Sequence, residues 1–192
     1  MRKRPIPPGR MPPLLIAVLG FGLTAASLDA SRPGEAPRVA IVAFGIYSAS
    51  PWRGPLPPQY RQETISDVRF TDMPRLMEQT DRIEARACTR FGLEYRLDNR
   101  SAGEAPPITV RVEHPRLAGP DGRTSTIDTY EVPSGGGLRY TGFDFDAPWT
   151  LVPGAWTFTL LYAGDVLAEQ RFIVTVAPGV TIPPEGCIPA VA

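Results

Sequence analysis

The sequence predicts an all-β protein, an immunoglobulin-like antiparallel β-sandwich of about seven strands preceded by a signal peptide. Three observations carry this prediction. Twenty-three prolines and eighteen glycines interrupt the 192 residues at short intervals, which leaves little room for long helices. Between these breaks the apolar residues recur at every second position rather than at helical spacing. Near the end of the chain, LVPGAWTFTLLYAGDVLAEQ (Leu151–Gln170) sets large apolar residues at alternate positions before a turn signal and a returning strand.

The elements follow in order. Arg2, Lys3, Arg4 and Arg10 precede the apolar run LLIAVLGFGLTAA (Leu14–Ala26) and small residues suited to signal peptidase, which predicts a secretory signal over residues 1–30 with cleavage after Ala26 or Ala30. The run falls short of the roughly 20 apolar residues that span a bilayer, and Gly20, Gly22 and Thr24 weaken it further. No cysteine precedes Cys88, so there is no lipobox. The mature chain is therefore expected to carry no stable membrane anchor and to be periplasmic or secreted. Loss of residues 1–30 removes four cations and Asp29, leaving 16 basic and 19 acidic residues and a net charge of −3. That balance excludes the basic footprint of a nucleic-acid-binding protein.

After a short linker (31–37), one domain is expected over 38–177, with a tail at 178–192. Arg38–Tyr47 (RVAIVAFGIY) reads as the first strand and SASPWRGPLPPQY as a loop. Asp72–Thr80 (DMPRLMEQT) reads as a short helix, with Asp72 as N-cap and Pro74 in its first turn. Arg82–Leu97 reads as one strand in which Gly92 marks a bulge or a close backbone approach. Ile108–His114 is the next strand. Ser125–Val132 and Leu138–Asp146 follow, joined across PSGGG, whose glycines suit a tight reversal. In the final hairpin Trp156, Phe158, Leu160 and Tyr162 share one face, and Ala155, Thr157, Thr159 and Leu161 the other. Ala163-Gly164-Asp165 closes it, and Val166–Val176 returns. So much apolar area on one side requires a covering sheet, so the row is expected to be a core wall rather than a stacking platform. The Cys…Trp…Cys pattern of antibody domains is absent, and only the architecture is expected.

FGIY (Phe44–Tyr47), RFGLEYRL (Arg90–Leu97), HP (His114-Pro115), PWTLVPGAWTF (Pro148–Phe158) and LAEQRFIV (Leu167–Val174) occur in this order. Together they resemble an exported bacterial domain-of-unknown-function family, DUF 3859, over residues 38–176. The resemblance implies a bacterial periplasmic or secreted location and brings no activity, ligand or catalytic residue with it. It also implies a small residue, usually Gly, where this chain has Cys88.

Cys88 and Cys187 are the two cysteines, and in an oxidising compartment they are expected to pair. The bridge would close a loop of about 100 residues, worth at most about 4.7 kcal/mol in the chain-entropy model, and would pin the tail. Strict alternation from Ile83 places Cys88 on the side of Arg86 and Arg90. The alternative is two unpaired thiols with Cys88 buried as a small hydrophobe.

Catalytic patterns are missing. His114 is the sole histidine and is expected to be structural; with two cysteines at most beside it, no zinc site of the usual type can be assembled. There is no Gly-x-Ser-x-Gly elbow, and SGGG lacks the Lys-Ser/Thr of a phosphate loop. Asp144 and Asp146 form either a carboxylate pair or a solvated strand face with Phe143 and Phe145 turned inward. No enzyme activity, metal or cofactor is expected. The candidate partner contact is Trp52, Arg53 and Tyr60, held among prolines; the alternative is that Trp52 and Tyr60 plug one end of the core. The expected function is a non-catalytic binding or adaptor module of the bacterial envelope that takes a protein or extended peptide through its loops or a free sheet edge. The alternative is a glycan-binding accessory domain using Trp52, Tyr60 and Trp149.

Overall fold

The alternating segments become twelve strands among the described residues: β1 (Arg38–Tyr47), β2 (Trp52–Pro55), β3 (Gln62–Glu63), β4 (Arg69–Thr71), β5 (Leu76–Gln79), β6 (Arg82–Ala85), β7 (Arg90–Asp98), β8 (Ile108–Ala118), β9 (Thr124–Val132), β10 (Gly137–Asp144), β11 (Gly154–Tyr162) and β12 (Asp165–Val176). The computed structural model describes residues 37–49, 52–66, 68–98 and 106–182, without the side chains of Trp52, Arg69 and Phe70. Seven strands have eight residues or more, namely β1, β7, β8, β9, β10, β11 and β12, as the sequence predicts. The signal peptide and most of the tail lie outside the described residues.

Two sheets stack. One runs β10-β7-β1-β5, the other β3-β9-β8-β11-β12-β6, and a small ribbon pairs β2 with β4. Every pairing is antiparallel except that of β12 with β6. Phe91 of β7 sits at the centre of the core, edge-on to Trp156, Phe158 and Phe172 of the facing sheet at 5.6, 5.7 and 5.3 Å, and stacked on Phe145 at 5.3 Å. Edge-to-face contacts of this kind add about 0.5–1.5 kcal/mol each to the burial of the rings. Trp156, Phe158 and Leu160 are fully buried, and Tyr162 nearly so. The aromatic row is a core wall. Its hairpin turns through Ala163 (φ 50°) and Gly164 (φ 93°), the doubly positive pair of a type I′ turn.

Several expectations change. Leu76–Gln79 is a strand paired with β1, not a helix; an isolated helix of nine residues is marginal, and the edge of β1 offers backbone partners instead. Arg82–Leu97 is two strands in different sheets. The chain crosses between them at Arg86–Thr89, closed by Thr89 N–H donating to the Arg86 carbonyl (3.1 Å). Cys88 therefore lies in a turn, not on a strand face. β9 and β10 also belong to different sheets, so PSGGG carries the chain across the sandwich rather than reversing it, and of its glycines Gly137 takes positive φ. The loop after β1 contains the short strand β2, and β8 continues past His114 through Pro115 to Ala118. Ile182 is buried, so an apolar anchor docks the start of the tail.

Gly92 marks a close approach, as one of its two readings has it. Gly45, Gly92 and Gly142 pair across β1, β7 and β10. A Cβ on Gly92 would stand 2.2 Å from the Thr141 carbonyl oxygen and 2.5 Å from Gly142 Cα.

Candidate functional site

β10 is an end strand of its sheet, bonded to β7 on one side. Among the described residues no other backbone pairs with Gly137–Asp144. The remaining sheet ends, β3, β5 and β6, are two to four residues long, whereas β10 has eight. It has no proline, lysine or shortness to blunt it, and of the devices that protect an exposed edge it carries a charged side chain, Arg139.

A cavity of about 270 Å³ runs along this strand. Leu138, Arg139, Tyr140, Thr141, Gly142, Phe143 and Asp144 all line it. Successive residues of a strand face opposite sides, so a void touching seven in a row follows the strand's edge and not one of its faces. The far wall is the inner face of the other sheet, through Val112 of β8 and Asp128, Tyr130 and Val132 of β9. Thr64, Ser66, Val68, Thr71, Asp72 and Met73 close it from the segment after β3.

The neighbouring side chains keep the edge clear. Tyr140 folds back over Gly142, its hydroxyl donating to the Phe91 carbonyl at 3.2 Å, and its ring meets Tyr47 at 4.7 Å. Burial raises the Tyr140 pKa well above its ordinary value, so it stays a neutral donor. Across the slot Tyr130 and Thr141 share a hydroxyl hydrogen bond that ties the two sheets together; burial pushes Tyr130 up to about 12. Arg90 donates through Nε and Nη2 to Asp144 at 2.6 and 2.7 Å. Burial opposes the Arg90 charge, but the bond and charge of Asp144 outweigh it and the net shift is upward. Among the described residues, two guanidinium donors remain buried without acceptors: Arg90 Nη1 and Arg139 Nε.

The predicted contact residues fall elsewhere. Arg53 is exposed, with its fork spent on Asp72 at 2.7 and 2.5 Å, and that bond holds the Asp72 carboxyl below its ordinary pKa. Tyr60 is half-buried in a turn closed by its N–H on the Pro57 carbonyl (3.0 Å). The Trp52 side chain lies outside the description, and Trp149 packs half-buried against the core. The exposed large apolar side chains among the described residues are Val42, Met73, Met77, Ile127, Leu138 and Val166, none of them aromatic. Asp144 is held by Arg90 rather than turned freely to solvent, while Phe145 is fully buried as expected. Among the described residues no cluster of three or more His, Cys, Asp or Glu could hold a metal ion.

His114 is buried, its ring 5.0 Å from Trp156. Its Nδ1 lies 2.8 Å from the Pro115 carbonyl, and its Nε2 3.7 Å from Asp128 Oδ1. A Cβ-bearing residue at 154 would strike Pro115 at 2.7 Å, so HP and PGAW are parts of one packed corner. Cys88 is exposed in its turn at φ 65°, a left-handed geometry that glycine takes without cost; its expected partner Cys187 lies outside the described residues.

Arg139, Arg90 and Thr141 were missed by sequence reasoning. One signal was present: Arg139 alternates in step with Thr141 and Phe143, which places a cation on an inward face.

Two stacked, almost wholly antiparallel sheets with a closed aromatic core make this an immunoglobulin-like sandwich. The chain is similar to an immunoglobulin-like protein of Pseudomonas aeruginosa solved by crystallography, at 21% identity and a TM-score of 0.51 over 72% of this chain and 97% of that one. That likeness shows the fold. Within the architecture, the chain belongs to the family described as "Domain of unknown function (DUF3859)", whose profile matches residues 35–174. No curated protein sequence matches it.

Proposed function

We propose that this protein is an exported, non-catalytic binding module of the bacterial envelope that takes an extended polypeptide along the edge of β10 by strand addition. The observation that carries the reading is the unbroken lining of the slot by Leu138–Asp144. Only an object lying alongside the strand meets all seven residues, and a strand with unpaired amides offers it main-chain hydrogen bonds. At about 270 Å³ the slot is below the usual 300–1,000 Å³ of small-molecule sites and suits one or two side chains of a longer chain. Met73 and Leu138, both exposed, give its mouth an apolar rim. The basic n-region and apolar run of residues 2–26 support export. A Cys88–Cys187 bridge belongs to the same reading, since it would hold Cys88 in its left-handed turn; alkylation of both thiols without prior reduction would contradict it.

The test is a photo-crosslinking residue placed in cells at Leu138, and at Val166 as control. The proposal expects a polypeptide adduct from Leu138 and none from Val166, and a synthetic copy of the adduct peptide that shifts the amide signals of Gly137–Asp144. Equal adducts at both positions, or none at Leu138, overturn it.

A further inference from the structure

We infer that the β10 slot selects a polypeptide bearing a carboxylate side chain, which Arg139 receives; this rests on the strand-addition reading above. Arg139 pairs with Tyr95, Thr141 with Leu93 and Phe143 with Phe91, and these three β7 residues are buried in the core. Arg139 therefore stands on the inner face of β10. Arg139 is half-buried there, and the part of a cation withdrawn from water is costly unless an anion or hydrogen-bond acceptors balance it. Its Nη2 donates to the Gly135 carbonyl at 3.0 Å, its Nε is buried without an acceptor, and among the described residues it has no ion-pair partner.

Arg90, at the other end of the strand, is the contrast. Asp144 balances its charge and leaves only Nη1 unfilled, a position that a neutral carbonyl of an added strand can satisfy. The other acids of the slot sort the same way. Asp72 is engaged by Arg53, and Asp128 accepts from the Ile65 N–H and the Ser125 hydroxyl. Asp144 and Asp146 both line the far end, where a second anion would be repelled. The Arg139 end is where an incoming carboxylate gains a forked, charge-assisted pair. From position 139 to 144 an extended chain spans about 17 Å, so the ligand is expected to hold one acidic residue at one end of a stretch of about six.

Panning a phage-displayed library of random dodecapeptides on the purified protein tests this. The expected result is a set of peptides sharing Asp or Glu at one position. Their synthetic forms should lose at least about tenfold in affinity when that acid becomes Asn or Gln, and lose as much on Arg139→Gln. Arg139→Lys, which keeps the charge and loses the fork, should retain part of the preference and carries the test if Arg139→Gln does not fold. Peptides that shift the β10 amide signals without acid preference, or that bind Arg139→Gln equally well, overturn this inference and leave strand addition standing. A library that yields nothing shifting those signals overturns both.

Discussion

The β11–β12 hairpin and the β10 edge belong to the same sandwich and differ in what their backbones lack. β11 is bonded on both sides, to β8 and β12, and its inward side chains are sealed against Phe91. Among the described residues β10 is bonded on one side and bordered on the other by a slot with two unfilled guanidinium donors. The first region is complete within the chain. The second has one side unpaired among the described residues, and that difference is what the proposed binding surface rests on.

Substitutions should separate the two regions sharply. Phe91→Ala removes the ring that joins both sheets, and should cost about 3–5 kcal/mol, read as the loss of urea midpoint at unchanged slope. An effect under about 1 kcal/mol would mean that the core is not closed around Phe91. Gly92→Ala comes next. Its Cβ would press on the backbone of Thr141 and Gly142, so the β7–β10 pair must part, at about 1–3 kcal/mol; a neutral result would deny the close approach of the two strands. Ala163→Asn should raise stability by up to about 1 kcal/mol, because Asn tolerates the left-handed φ that Ala163 now holds and suits a type I′ turn.

The smallest expected effect concerns the ion pair at the first predicted contact. Asp72 is held below its ordinary pKa by Arg53. The sign follows directly: a depressed folded pKa gives stability that is present above the unfolded value of about 3.9 and lost as pH falls through the lower folded value. Wild type and Asp72→Asn should therefore differ slightly in Tm near pH 5, and converge towards pH 3. Both groups are exposed, so the gap should be small; a gap that widens on acidification would contradict the pairing.

Most of the fold was legible because alternation is a local signal. Arg38–Tyr47 and the closing hairpin read correctly from their own residues. Arg82–Leu97 did not, because the crossing at Arg86–Thr89 contains no Gly or Pro, and Cys88 takes the left-handed conformation itself. Asp72–Thr80 has helix-favouring residues that lost to the unpaired edge of β1. The slot was the least legible part. Which strand ends a sheet depends on strand order, and β7 comes to lie between β1 and β10 through contacts distant in sequence. Trp52, Arg53 and Tyr60 drew notice as residue types, whereas Arg139 is distinguished by position.

Residue-resolved amide hydrogen exchange tests the central contrast most directly. Alternate N–H groups of Gly137–Asp144 should exchange at least about tenfold faster than those of Gly154–Tyr162 in the isolated protein, and slow when a β10-binding peptide is added. If the β10 amides are protected as fully as those of β11 before any peptide is present, the edge is already occupied and the strand-addition account is wrong.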